Sequence, residues 1–241
     1  MTLLVAPVEH AATVFACRHW HYSRCVPAGK LIEHGVWESD RFVGVVVYGR
    51  GANKNTAIGL GMRQTELCEL VRIALDEHEA PVTQIVAESL RLLRQHNPGL
   101  RLVLSYADAE QGHVGRIYQA GNWVYLGRSM PAQEYVVNGR RYHGRSLRAR
   151  ANAAPDRHLY GKAIDWVRAT LDPDALVEYG SSKHRYALGL DRQMRRLLAE
   201  QSVPYPADVA DGPLVRSVAL RSEPHADEGS TVSRPDTVGE V

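Results

Sequence analysis

Residues 69–127 constrain the fold more than any other part of the sequence, because strand-like and helix-like patterns alternate along them. The predicted order is a strand at 66–76, a helix at 80–95, a strand at 101–106, a short helix at 114–120 and a strand from residue 123. Pro81 suits the first turn of the longer helix, whose apolar residues recur at helical spacing. This alternation predicts an α/β protein with polar side chains at strand ends.

The flanking sequence adds elements to this order. Residues 30–38 and 41–48 predict two antiparallel strands, and the β-branched run at 42–48 indicates burial on both faces. Residues 49–62 are rich in Gly and Asn and predict a loop. Asn138-Gly139 predicts a hairpin over 132–142. Helices are predicted near residues 8–18, 161–170 and 191–200, and a strand at 183–188.

The sequence predicts one catalytic domain over residues 1–203, with a basic segment at 139–162 and a C-terminal strand and helix at 183–200. Residues 204–241 lose apolar periodicity and predict a disordered tail. No apolar run approaches the roughly 20 residues that cross a bilayer, and no basic segment opens a secretory signal. The three cysteines indicate reduced thiols. We therefore expect a cytoplasmic protein with no membrane partner.

Charge is concentrated along the chain, although the formal net charge is only +2. Residues 139–150 contain no acid. They carry the arginines Arg140, Arg141, Arg145, Arg148 and Arg150. Such a cluster on a nearly neutral chain predicts that one face contacts a nucleic acid, and the alternative is solvated surface arginine.

The order β–β–loop–β–α–β–α–β over residues 40–130 resembles that of the GNAT acyltransferases. The strand at 69–76, the strand at 102–106 and the segment Tyr118-Gln-Ala-Gly-Asn-Trp123 carry this resemblance. It implies an α/β (α+β) fold with a mixed, mostly antiparallel central sheet flanked by helices. It also implies transfer of an acyl group.

A closer resemblance is to the Mom proteins of bacteriophages. It rests on the segments 20–23 (WHYS), 69–72 (ELVR), 105–108 (SYAD), 111–115 (QGHVG), 122–127 (NWVYLG) and 183–186 (KHRY), and on Tyr118. This resemblance implies an enzyme that converts adenine in double-stranded DNA to N6-carbamoylmethyladenine, which protects phage DNA from host restriction. It places the protein in the host cytoplasm.

One loop departs from the GNAT pattern. The coenzyme A pyrophosphate of GNAT enzymes binds a glycine-rich loop at a helix N-terminus. The equivalent residues 76–84 contain no glycine, three acids and Pro81, which lacks an N–H donor. We expect conventional acetyl-coenzyme A binding to be impaired. The alternative is a drifted loop that still binds coenzyme A through its remaining amides.

The product that the Mom resemblance implies limits the choice of acyl donor. An acetyl group contains no nitrogen, so acetyl-coenzyme A would need a nitrogen source and an oxidation, and hence a redox metal such as iron. A glycyl group already holds the atoms of the product. We therefore favour glycyl-tRNA over acetyl-coenzyme A. For the iron route the candidate ligands are His21, Asp108 and His113, while the spacing of Cys17, His19, His21 and Cys25 matches no zinc pattern.

Candidate catalytic residues follow from the same blocks. They are His21, Tyr22, Ser23, Glu69, Ser105, Asp108 and Tyr118. His21 suits a general base, Tyr22 an acid or a stacking surface, and Ser105 an oxyanion donor. Tyr118 is expected to protonate the leaving group. The alternatives are a His-Tyr pair that caps a turn and, for Asp108, a helix cap.

Donor binding is assigned to Arg72, Lys183, Arg185 and Tyr186. Glu69 and Arg72 are separated by an odd number of residues, so the sequence predicts opposite faces of a strand and an acidic partner for Arg72. Structural ion pairs are the alternative reading of both residues. A flipped adenine needs an aromatic surface. The candidates are Trp20, Tyr22, Tyr106 and Trp123, with core packing as the alternative for both tryptophans.

Two rival functions stay open. One is a coenzyme A-dependent GNAT N-acetyltransferase acting on a small amine or a protein, against which the basic segment argues. The other is a non-catalytic nucleic-acid-binding protein with a GNAT fold, against which Glu69, Asp108 and Tyr118 together argue. Double-stranded DNA is the expected partner, tRNA a second one, and a homo-oligomer is compatible with the sequence.

Overall fold

The computed structural model describes residues 2–50 and 54–206, and these form two compact units. Of the described residues, the first unit comprises 2–50, 54–106, 115–126 and 186–206, and the second unit comprises 107–114 and 127–185. The basic segment at 139–162 lies wholly in the second unit. From residue 207 onward, the predicted tail lies outside the described residues.

Ten strands and seven α-helices are present in the described part of the chain. In order they are β1 (Leu3–Pro7), α1 (His10–Trp20), β2 (Leu31–Glu38), β3 (Arg41–Gly49), α2 (Lys54–Gly59), β4 (Leu67–Leu75), α3 (Val82–His96), β5 (Leu102–Ala107), α4 (Arg116–Ala120), β6 (Val124–Arg128), β7 (Gln133–Val137), β8 (Arg140–His143), α5 (Gly144–Ala153), α6 (Ala163–Thr170), β9 (Leu176–Tyr179), β10 (His184–Gly189) and α7 (Arg192–Glu200).

The larger sheet has seven strands in the order β1-β2-β3-β4-β5-β10-β6. The first three pairings, from β1 to β4, are antiparallel, and the pairing of β4 with β5 is parallel. The predicted α/β class, with a mostly antiparallel sheet flanked by helices, is confirmed.

The two faces of β3 contact different helices, because neighbouring side chains of a strand point in opposite directions. Val47 packs in a cluster with Ala16 and Cys17 of α1. Tyr48 faces α3, where its hydroxyl lies 2.9 Å from Ser89 Oγ. His34 of β2 is hydrogen-bonded to the same serine, with Nδ1 at 2.9 Å from Ser89 Oγ. This buried polar group joins α3 to both strands.

The second unit contains a three-stranded sheet in the order β8-β7-β9, antiparallel throughout. Tyr135 and Val137 of β7 pack with Leu147 of α5 and Trp166 of α6. The predicted hairpin is confirmed, since β7 and β8 flank residues 138 and 139. Both residues have positive φ, 49° and 72°, as a two-residue type I′ turn requires.

Four elements differ from the prediction. Strands β1 and β9 and helix α5 were not predicted, and the predicted loop at 49–62 contains α2. Tertiary packing stabilises that short helix, because Ala57 is buried in a core cluster and the Met62 N–H donates to the Ala57 carbonyl at 2.8 Å. None of the helices in the described ranges is long and apolar enough to span a bilayer.

Candidate functional site

A buried hydrogen-bond relay lies where β4 and β5 stop pairing. Residues Leu67–Leu70 pair with Leu102–Ser105, after which β4 continues to Leu75 without β5. Ser105 Oγ lies 2.9 Å from the Leu70 carbonyl oxygen and 2.7 Å from Tyr118 Oη. A carbonyl only accepts, so Ser105 donates to Leu70, and the hydroxyls of Ser105 and Tyr118 are hydrogen-bonded to each other.

Tyr118 is a neutral phenol at physiological pH. Burial raises its pKa to about 12, against the opposing effect of the Ser105 hydrogen bond. Electrostatic interactions with Tyr22, Glu69 and Tyr186 raise the pKa further. The structure therefore brings four predicted site residues, Tyr22, Glu69, Ser105 and Tyr186, into the neighbourhood of Tyr118.

Tyr186 is fully buried beside Tyr118, with ring centroids 5.2 Å apart. Gln119 Nε2 donates to the Tyr186 hydroxyl at 2.9 Å. Gly115 makes this placement feasible, because a Cβ there would lie 2.3 Å from the Tyr186 ring, and its φ of +83° also favours glycine. The Tyr186 ring therefore packs against the Tyr118 side of the relay. Its role in binding the acyl donor stays a prediction.

The predicted separation of Glu69 and Arg72 onto opposite faces is wrong. The register runs from Val47 opposite Arg72 to Gly49 opposite Glu69, with Val71 as an extra residue in β4. Val47 and Gly49 are two residues apart in β3 and share a face, so Glu69 and Arg72 share that face as well. The cause is a β-bulge, which shifts the alternation by one residue.

A chain of polar groups runs from His21 to Arg72. The Ser23 N–H donates to His21 Nδ1 at 3.1 Å, so Nδ1 is an acceptor, and Ser23 Oγ lies 2.8 Å from the same nitrogen. The Cys25 thiol donates to Ser23 Oγ at 3.4 Å, and Arg72 Nη2 donates to Cys25 Sγ at 3.6 Å. His21 therefore caps the turn, as the structural alternative predicted, and Ser23 links its ring to the Cys25 thiol.

Among residues 2–50 and 54–206, Arg72 has no acidic partner of the kind that the sequence predicted. Its guanidinium instead donates to the carbonyls of Val71 and Cys25, at 2.8 and 3.5 Å. Burial raises the pKa of the Cys25 thiol, but the Ser23 hydroxyl and Arg72 outweigh it and hold that pKa below its usual value. The sequence analysis considered Cys25 only as a metal ligand and missed its contact with Arg72, because only the tertiary fold brings the two residues together.

The N-terminal side of α3 already holds an internal anion. The Glu38 carboxylate accepts hydrogen bonds from the Glu79 N–H at 2.9 Å and from the Ala80 N–H at 2.8 Å. Burial raises the pKa of Glu38, and these N–H donors outweigh it and hold the pKa below its usual value. The backbone amides of Glu79 and Ala80 are therefore occupied by an internal carboxylate.

The candidate iron ligands do not form a cluster. Within residues 2–50 and 54–206, no group of three or more His, Cys, Asp or Glu side chains can hold a metal ion. The predicted set of His21, Asp108 and His113 is therefore not assembled, and nor is one from Cys17, His19, His21 and Cys25.

The aromatic candidates divide into surface and core residues. Tyr22 is 53% exposed, and its ring lies 4.3 Å from that of His21. Trp123 is only 2% exposed and packs on Tyr118, so the alternative reading of a core residue is the correct one. Trp20 is half-buried against Phe42. Tyr22 is thus the exposed aromatic side chain beside the relay, while Tyr106 is half-buried.

In the second unit, Asp108 forms an ion pair with Lys183. The Lys183 ammonium lies 2.8 Å from Asp108 Oδ2, and the other carboxylate oxygen accepts from the Glu110 N–H at 3.2 Å. Asp108 therefore does cap the next turn, and it also neutralises a residue predicted to bind the donor. Arg185 is half-buried on β10. Any catalytic role of Asp108 stays a prediction.

The predicted basic residues differ in their surroundings. Arg141 is neutralised, since its guanidinium lies 3.3 Å from Glu134 and 2.7 Å from Glu178. Arg140 lies over the ring of Tyr142, 5.6 Å from its centroid. The other three basic residues, Arg145, Arg148 and Arg150, are exposed on α5.

Comparison with known proteins agrees with the resemblance of the site blocks. The profile of the Mom protein family matches residues 2–207. The chain is also 26% identical over 193 residues to the protein "Methylcarbamoylase mom" of Escherichia phage Mu, covering 77% of this chain and 76% of that protein. The residues that the family profile matches include the Ser105–Tyr118 relay, the His21 turn and the Asp108–Lys183 pair. The chain belongs to the Mom protein family.

Proposed function

We propose that this protein modifies adenine in double-stranded DNA to N6-carbamoylmethyladenine, and so protects phage DNA from host restriction. Its family membership and its similarity to a protein named methylcarbamoylase support this function. Three side chains add chemical support, because the acid Glu69 and the exposed ring of Tyr22 both interact with the neutral phenol of Tyr118. Adenine N6 acylation needs a proton acceptor, a proton donor and a surface for the base.

The donor in this proposal is glycyl-tRNA, and the Glu38 carboxylate is the observation that carries it. Glu38 occupies backbone amides that a coenzyme A pyrophosphate would need. Acetyl-coenzyme A is the less favoured donor for this reason. A tRNA ester presents its acyl group on a ribose hydroxyl and requires no pyrophosphate site.

The first step forms an amide. The adenine N6 nitrogen attacks the ester carbonyl carbon, the C–N bond forms and the C–O bond to the ribose breaks. In this step Glu69 accepts the N6 proton and Tyr118 protonates the ribose oxygen that leaves. Because burial keeps Tyr118 protonated, the phenol suits an acid and does not suit a base.

The second step rearranges the glycyl group without oxidation. The free amine of N6-glycyladenine attacks adenine C6 and forms a five-membered spiro intermediate. The C6 bond to the original amide nitrogen then breaks, and that nitrogen leaves as the terminal carboxamide. Substrate and product are isomers, so no electron acceptor is needed. Tyr22 and His21 provide an exposed ring surface on which the extruded base can stack.

The test supplies the two donors separately. Tagless protein is incubated with duplex DNA and either [14C]glycyl-tRNA or [14C]acetyl-coenzyme A, and digested nucleosides are separated and identified by mass spectrometry. We expect label in carbamoylmethyladenine from glycine alone. Tyr118→Phe should abolish most of it, whereas Tyr205→Phe, whose hydroxyl binds the Trp123 carbonyl at 2.7 Å, should not. Label from acetate alone would reject the donor, and no modified adenine from either donor would reject the function.

A further inference from the structure

Helix α5 has a fixed orientation on the second unit. Its residues Gly144, Leu147 and Ala151 are buried. Leu147 and Ala151 pack in one cluster with Tyr135 of β7 and Trp166 of α6. His143 caps the helix, with Nδ1 accepting from the Arg145 N–H at 3.1 Å. The opposite face of α5 is therefore held outward by packing.

That outward face is a narrow ridge of small side chains flanked by cations. Arg145, Ala149 and Ala153 follow one another at four-residue spacing and are exposed. Arg148 lies on one side of this ridge and Arg150 on the other, because helical positions advance by about 100° per residue. Residues 138–155 contain no acid at all.

The cations of α5 are not neutralised within the described residues. Arg145 and Arg150 form no ion pair there, and Arg148 Nε donates only to the Gly144 carbonyl, at 3.1 Å. Arg141 provides the contrast, since two glutamates hold it. The three arginines of α5 therefore have no acidic partner in the described residues, whereas Arg141 on β8 has two.

We propose that α5 lies in the major groove of double-stranded DNA, with the Ala149–Ala153 ridge toward the base edges and the three arginines on the phosphates. This inference rests on the proposed DNA substrate. A helix of about 10–12 Å diameter enters the major groove of B-DNA, which is about 12 Å wide. Small residues on the ridge permit a close approach to the base edges.

The same geometry argues against an RNA helix as the partner of α5. The major groove of A-form RNA is deep and too narrow for side chains to read. A tRNA donor would therefore need another surface.

The length of α5 sets how much DNA it can contact. Its ten residues span about 15 Å, or about four base pairs of B-DNA.

The test measures binding of the full chain to a fluorescent DNA duplex over a range of salt concentrations. The variant Arg145→Gln/Arg148→Gln/Arg150→Gln should lower the slope of log K against log salt by about 2–3, roughly 0.9 for each lost phosphate contact. Ala149→Gln should weaken binding about 10-fold with the slope unchanged, because it adds bulk without removing charge. Arg94→Gln, an exposed helical arginine of the first unit, should change neither.

Two results would overturn the inference: an unchanged salt slope in the triple variant, or equal weakening of binding to an RNA duplex of the same length by Ala149→Gln. Circular dichroism verifies that each variant is folded. The outcome is separable from the proposed function. If adenine is modified but the variants bind DNA normally, only the groove inference fails. If α5 binds DNA as expected but no adenine is modified, only the function fails.

Discussion

The Ser105–Tyr118 relay makes a quantitative prediction about stability. Ser105→Ala removes a buried hydroxyl that donates to the Leu70 carbonyl at 2.9 Å and is hydrogen-bonded to the Tyr118 hydroxyl at 2.7 Å. Two buried polar groups then lose a partner, and each costs about 1–2 kcal/mol. We expect a loss of about 3 kcal/mol for Ser105→Ala. Tyr118→Phe should cost about 1 kcal/mol, because it removes one hydrogen bond and leaves no buried hydroxyl unsatisfied.

The double variant isolates the bond itself. In the Tyr118→Phe background, Ser105→Ala no longer leaves a buried phenol hydroxyl without its partner. The loss of unfolding free energy in the double variant should therefore be about 1 kcal/mol smaller than the sum of the two single losses. Urea unfolding followed by tryptophan fluorescence and by circular dichroism measures these energies, and coincident curves with unchanged m-values support two-state treatment. Tyr205→Phe combined with Ser105→Ala is the control and should be additive. A coupling below about 0.3 kcal/mol would refute the relay.

Three further predictions concern His34, Cys25 and Gly115. Burial lowers the pKa of His34 from 6.5 to about 4, so between these pH values the unfolded chain binds a proton that the folded chain does not. The free energy of unfolding should therefore fall by about 3 kcal/mol as the pH is lowered from 6.5 to 4. His34→Phe should abolish this loss. Iodoacetamide at neutral pH should alkylate Cys25 before the two buried cysteines, and peptide mass spectrometry showing equal labelling would contradict the exposed, activated thiol. Gly115→Ala should cost about 2–3 kcal/mol because its Cβ meets the Tyr186 ring, whereas Gly112→Ala, with positive φ but open space, should cost about 1 kcal/mol in the same urea assay.

Several elements could be predicted because their signals are local. The β-branched run of β3, the helix between Pro81 and Asn97, and the Asn138-Gly139 turn each depend on side chains within a few residues. The residue blocks around Tyr118 identified the family from the same kind of linear pattern. Helix α2 was missed because its stability comes from the burial of Ala57 in a core built by remote strands.

Linear residue patterns were sufficient to predict the α/β class, the main strands and helices and the family of this protein. The arrangement of the site could be read only from the folded chain, because each of its contacts joins segments that are far apart in the sequence. The Val71 bulge depends on how β3 and β4 align, and it turns Glu69 and Arg72 to one face. The Glu38 carboxylate reaches amides 41 and 42 residues away. Such contacts depend on the assembled sheet, whereas periodicity and turn chemistry report only on nearest neighbours.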